Sequence, residues 1–199
     1  HWARHNGRAL AIGGGVLVLA TLGPLVWKGM QEKAEGEAGA ALFQAQSLYF
    51  SGGYAQALPQ LQSVTQRFGG TPSGQGAWLF VGNCQLALGQ ATEAENAYRK
   101  FLAKSGSEAV DKAAGLRGVA AALVAQTKQA EGAAQFVKAA ELAGNPSAVS
   151  DWMNAGRAFE AAGDKTQALR AFRTVITQYS DNPKAQEARV RVEELKYGS

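Results

Sequence analysis

The chain has 199 residues, 46% of them hydrophobic, and a formal net charge of +4. That length admits one membrane-scale segment plus one domain of about 160 residues, large enough to bury a core of its own. The charge is modest, and no Lys/Arg block or basic–aromatic interleaving follows the N-terminus, so nucleic acid is excluded as a partner.

The first eight residues carry Arg4 and Arg8 and no acid. Residues 9–27 then run without a charge, and Thr21 is their only hydroxyl, so no polar face can be drawn. At ~1.5 Å per residue this run reaches roughly 28 Å, close to the thickness of a bilayer's hydrocarbon layer. A retained transmembrane helix is therefore expected, since the apolar core of a cleavable signal peptide is typically only ~7–15 residues. No cysteine stands directly after the run, which excludes a lipoprotein. Basic residues before the span and a mixed, slightly acidic stretch after it place residues 1–8 in the cytoplasm and the rest across the membrane. Trp2 and Trp27 fall near the two expected interfaces, where indoles are favoured. Ala9 with Gly13 and Ala11 with Gly15 form small-x-x-x-small pairs, suited to close packing on an integral membrane partner or a second copy. Pro24 is expected to kink the helix or interrupt its hydrogen bonding.

Residues 28–36 read as a polar juxtamembrane extension. Residues 37–181 are Ala-rich and nearly free of strand signals, and they repeat. Gly52, Gly89, Thr127 and Gly163 occupy one equivalent position at intervals of 37, 38 and 36 residues. Five residues on from each stand Ala57, Ala94, Gly132 and Ala168, and four further on Leu61, Tyr98, Phe136 and Phe172. Trp78 with Gly82 and Trp152 with Gly156 lie two repeats apart at identical offsets. Gly89 and Gly163 suit the left-handed turn that ends the first helix of a pair, and Thr92 and Asp164 suit the starts of the second helices. Gly69 to Gly74 reads as an extended linker, Gly144-Asn145-Pro146 as another, and Pro59 is tolerable only in a first turn. After Asn182-Pro183, residues 182–199 form a capping helix and tail. Ala188, Val190, Val192 and Leu195 would pack inward, and Glu187, Arg191, Glu193 and Glu194 would face solvent.

This pattern resembles the tetratricopeptide repeat, a helix pair with a Trp, a Gly, an aromatic and an Ala-x-x-x-aromatic step. The resemblance implies an all-α solenoid of about four helix pairs. Trp78, Gly82, Ala94, Tyr98, Phe136, Trp152, Gly156, Ala168 and Phe172 would be its packing residues. It also implies an inner groove lined by first helices, through Gln46 and Tyr49, Asn83, Arg117, and Met153 and Arg157. The family's carboxylate clamp is not matched, because Leu42 and Ala121 stand where polar groups would be needed.

Chemistry is otherwise sparse. Both histidines, His1 and His5, precede the apolar run, which leaves the repeats without imidazole for Ser-His-Asp, Cys-His or catalytic zinc sites. Cys84, the single cysteine, forms no intramolecular disulfide and reads as a small buried hydrophobe. Glu93, Glu95, Glu108, Asp111, Glu193 and Glu194 read as helix-surface or dipole charges. No cofactor signature occurs.

The run Trp2 to Ala11, the span and the repeats together resemble the single-pass bacterial inner-membrane tetratricopeptide proteins that act as ancillary subunits of the Sec translocon. That resemblance implies a non-enzymatic scaffold in the inner membrane. Its span would contact lipid and an integral membrane complex, and its periplasmic repeats would bind a protein or peptide. Two other expectations fit the same residues: an accessory subunit of a bioenergetic or photosynthetic complex, and an enzyme subunit with a carboxylate site in the groove.

Overall fold

The structure, a computed structural model, describes residues 7–104, 106 and 108–197, with side chains from residue 22 onward. Among these residues the chain forms nine helices and no strand. They are α1 (Gly7–Phe50), α2 (Tyr54–Arg67), α3 (Pro72–Ala87), α4 (Ala91–Lys104), α5 (Ala109–Ala125), α6 (Gln129–Ala140), α7 (Ala148–Ala161), α8 (Lys165–Gln178) and α9 (Lys184–Tyr197). Each helix packs against its neighbours in sequence, and α1 also touches α3, α3 touches α5, and α7 touches α9. Four hairpins therefore stack in order with α9 laid on the last, an α-solenoid.

The turns inside the hairpins carry the repeat. Gly52, Gly89, Thr127 and Gly163 all have positive φ, from 64° to 83°. In each turn the residue after it donates its N–H back five residues, Gly53 to Leu48, Gln90 to Gln85, Lys128 to Leu123 and Asp164 to Phe159. This is the hydrogen-bond pattern of a Schellman cap, which satisfies carbonyls left free at a helix end. Thr127 adopts the conformation that glycine serves elsewhere, a strained choice for a β-branched residue. Asp164 caps α8, accepting from the Gln167 N–H at 3.0 Å. Thr92 instead lies inside α4, one residue past its start.

The glycine–aromatic spacing has a direct geometric cause. A Cβ on Gly82 would sit 2.6 Å from the Tyr98 ring, and one on Gly156 would sit 2.5 Å from the Phe172 ring. The ring of each second helix thus lies flat on the bare backbone of its first helix. Ala94 and Ala168 are fully buried, as are Ala57 and Leu61 in the first hairpin. Repeat three, which lacks the signature Trp and Gly, uses other glycines. Gly118 would meet the same Tyr98 ring at 2.4 Å, and Gly115 the Leu102 side chain at 2.6 Å. Gly132 takes the signature alanine position because a Cβ there would press on Val124 and the Ala120 carbonyl.

Several expectations are corrected. The segment from Gly69 to Gly74 is no extended linker: Pro72, Ser73 and Gly74 already belong to α3. Thr71 caps that helix by accepting from the Gly74 N–H at 3.1 Å, and Pro72 takes the first helical position, where its missing N–H loses nothing. A Cβ on Gly74 would lie 1.8 Å from the Phe68 carbonyl oxygen, so the connection is tight. Pro59 is the sixth residue of α2, beyond its first turn, and is exposed there, where water can serve the carbonyl it leaves unpaired. In α9, Ala185, Ala188 and Val192 are buried at helical spacing while Val190, out of phase with them, is 49% exposed. Glu187 and Arg191 do not simply face solvent, since they pair with Arg157 and Glu160 of α7.

Helix α1 is 44 residues long and runs unbroken through Pro24 and through residues 28–36 into the first hairpin, a reach of roughly 66 Å. Trp2 lies outside the described residues, as do the side chains of Ala9, Ala11, Gly13 and Gly15. Among the described residues no helix is long and apolar enough to cross a membrane; of the span expected over 9–27, side chains are described only from residue 22. Leu22, Leu25, Val26, Trp27 and Met30 are all more than half exposed. Solenoid contacts begin further on, where Glu35 accepts from the Ser73 N–H at 3.1 Å and from its hydroxyl at 2.5 Å. Burial alone would raise the Glu35 pKa, but these donors at the α3 N-terminus outweigh it and hold the carboxyl below its usual range.

Candidate functional site

The groove positions from the sequence do not share one open surface. Gln46 and Tyr49 are half-buried on α1. The Tyr49 ring packs on Phe50, Tyr54 and Phe80 with centroids 5.2, 5.5 and 5.4 Å away, within the range of favourable aromatic pairs. Desolvation raises its phenol pKa. Asn83 accepts the Tyr98 hydroxyl at 2.8 Å, so it completes a hydrogen bond inside the repeat. Tyr98 is 1% exposed, and burial raises its pKa too.

Arg117 is held internally. Its Nε and Nη2 donate to the two carboxylate oxygens of Asp151 at 2.6 and 2.8 Å, a bidentate pair between α5 and α7. Asp151 is fully buried, and Asn145 Nδ2 donates to its Oδ2 at 2.8 Å and to the Ala139 carbonyl at 2.7 Å. The hydrogen bonds from Arg117 to Asp151 raise the guanidinium pKa despite its partial burial. Sequence reading missed this network because its members come from α5, α7 and the loop between α6 and α7. The loop's Asn145 beside Pro146 was its only local signal. Arg117 therefore fixes the spacing of two first helices rather than reaching for a ligand.

Met153 is 1% exposed and belongs to the core of the last repeats, so it does not line a groove. Arg157 does: it is half exposed on α7 and pairs with Glu187 of α9. Beside it a recess of about 430 Å3 opens between α5 and α7, floored by Ala121, Val124 and Ala158, with Asn154 and Arg157 on its rim. The Gln129 Oε1 atom borders it with no hydrogen-bond partner among the described residues. Apolar floor, amide and guanidinium on the edge are what an extended peptide needs: van der Waals contact below, hydrogen-bond donors at the side. Cys84 is fully buried and its thiol is pushed up to about 11 by desolvation, which keeps it protonated and unreactive.

Comparison with known proteins agrees with this architecture. Residues 1–197 match the family described as tetratricopeptide repeat-like domain. Among solved structures, the chain is similar to repeats of a Podosopora anserina protein described as a kinesin light chain, built of nearly identical TPR-like repeats. The identity is 16% and the TM-score 0.63, over 81% of this chain and 91% of that one. A single-substitution variant of the same protein matches with the same values. At that identity the likeness is one of fold. No curated protein matches the chain.

Proposed function

The chain belongs to the tetratricopeptide repeat-like domain family, and on that premise we propose that it is a membrane-anchored, non-enzymatic scaffold. The solenoid holds a protein partner, and the helix that begins it holds the solenoid to an integral membrane complex. One observation carries this reading. Helix α1 passes without a break from the apolar segment into the first hairpin, and nothing among the described residues covers Leu22, Leu25, Val26, Trp27 or Met30. Large apolar side chains left exposed around about half of a helix, next to a run without charge, fit a lipid or membrane-protein environment. The family match includes this segment as well as the repeats.

The flanking charges orient it, with Arg4 and Arg8 in the cytoplasm and the repeats outside, which in a bacterium is the periplasm. Ala9, Ala11, Gly13 and Gly15 are the residues for close contact with the host complex, which by resemblance is of the translocon kind. The recess at Arg157 and Asn154 is where the periplasmic protein or peptide docks. The acids nearest it act as structural counter-ions, Asp151 to Arg117 and Glu187 to Arg157, and not as a catalytic pair.

Purification from membranes in mild detergent tests the reading. It should recover a stoichiometric integral membrane partner that is lost when Gly13 and Gly15 are replaced by leucine. Recovery of the unaltered chain alone, or a partner retained after those changes, would count against it.

A further inference from the structure

The repeat places two equivalent clefts on the outer side of the solenoid, each floored by one of the signature tryptophans. The first lies between α2 and α4 over Trp78, and the second between α6 and α8 over Trp152. Trp78, Val81 and Gln85 stand at i, i+3 and i+7 on one face of α3, turned away from Asn83 and the inner groove. The second cleft is lined by Val137, Trp152, Phe159 and Ala171, with Lys138, Glu141, Gln167 and Arg170 also bordering it, and its surface is mainly apolar.

The first cleft, about 360 Å3, is built differently. Gln62, Thr65 and Gln66 line it from α2, and Glu93, Asn96 and Lys100 from α4. Lys100 Nζ sits 4.3 Å from the centre of the Trp78 ring. Where the second cleft has Phe159, this one has Gln85. That side chain is 8% exposed, and its Oε1 has no hydrogen-bond partner among the described residues. A buried amide oxygen without a donor destabilises the fold, and Phe159 shows that an apolar side chain fits the equivalent place. The terminal amide torsion of a glutamine is broad, so a donor arriving in the cleft can draw the oxygen round to meet it.

We propose that the Trp78 cleft is a second binding site, for an extended, uncharged polar peptide segment whose amide groups pair with Gln85, Gln62, Gln66 and Asn96. Neutral amides that both donate and accept match a ligand of their own kind, backbone and amide side chains together. Trp78, with the Lys100 ammonium over its ring, forms the floor of the site. The Trp152 cleft, with Phe159 in place of the amide, does not take this ligand.

The four indole N–H signals of the 15N-tryptophan-labelled chain in detergent make the test, with Trp78 assigned by its replacement with phenylalanine. The probe is an acetylated, amidated hexapeptide of serine, asparagine and glutamine. The Trp78 signal is expected to shift saturably while Trp152 stays in place. Gln85→Leu is expected to weaken binding tenfold or more with helicity retained. Asn96→Ala, on an exposed position, should weaken it by less and leave the fold untouched. No saturable shift at millimolar peptide, equal shifts at Trp78 and Trp152, affinity unchanged in both variants, or equal binding of a capped alanine hexapeptide would each overturn the proposal.

Discussion

The two ends of the solenoid are finished in opposite ways. At the C-terminal end α9 covers the last hairpin with Ala185, Ala188 and Val192, and ties itself to α7 through Arg157–Glu187 and Arg191–Glu160, the latter at 2.6 Å. Its outer face is charged, as the last element of a repeat array must be to remain in water. At the N-terminal end the first helix of the array is α1, and its outer face shows Phe43 at 72% and Phe50 at 74% exposure. Further up, the same helix bares Leu22 to Met30. A stacked repeat always leaves one apolar face open at each end. Here one is closed by α9, and the other is open among the described residues.

That contrast can be broken most sharply by placing one charge at each end. Ala188→Glu puts an unpaired carboxylate under α9 and is expected to destabilise the last hairpin by about 3–5 kcal/mol, read as an early urea transition of α8 and α9. Phe43→Glu puts the same carboxylate on an exposed face and is expected to leave stability within about 0.5 kcal/mol. Equal losses would erase the difference between the ends.

Between them, Asp151→Ala strips Arg117 and Asn145 of their common partner. A loss of about 2–3 kcal/mol is expected, less than for a fully buried pair because Arg117 is 32% exposed. Gly156→Ala drives a Cβ into the Phe172 ring and should cost about 1–3 kcal/mol by thermal unfolding. Gly36→Ala, on α1 with nothing within 4 Å of its Cβ, should be neutral or stabilising by up to about 1 kcal/mol.

The smallest effect concerns the seam between α1 and α3. Glu35 has a depressed carboxyl pKa, so its bonds to Ser73 stabilise the fold above the ordinary carboxylate range. That contribution is lost as pH falls through the depressed value. Glu35→Gln is expected to lower stability by about 0.5 kcal/mol at pH 7, allowing for solvent screening, and by nothing once the wild-type carboxylate is protonated. A difference that persists in acid would place the effect elsewhere.

Local chemistry explains what could be read in advance. The positive φ at Gly52, Gly89, Thr127 and Gly163 follows from a repeat visible in the residues themselves, strong enough to carry Thr127 along with the glycines. The Gly82–Tyr98 and Gly156–Phe172 contacts follow from fixed offsets on neighbouring helices. What could not be read depends on chain brought from afar or on helix phase. Arg117 looked free because its partner lies 34 residues away. Met153 looked like a groove residue, yet it joins its neighbour Trp152 in the same buried cluster. Gly69 to Gly74 has the composition of a loose linker, yet Thr71 and Pro72 make it a helix start. Gly115 and Gly118 carried no repeat signal, because repeat three reaches Leu102 and Tyr98 from positions where the other repeats hold larger residues.

The central claim is that the open end belongs to a membrane. Alkaline carbonate washing of membranes from cells making the chain, followed by protease added to one side at a time, addresses it directly. The account predicts that the chain stays with the bilayer and that the repeats are cut only from the periplasmic side. Release into the wash, or digestion of the repeats from the cytoplasmic side, would contradict it.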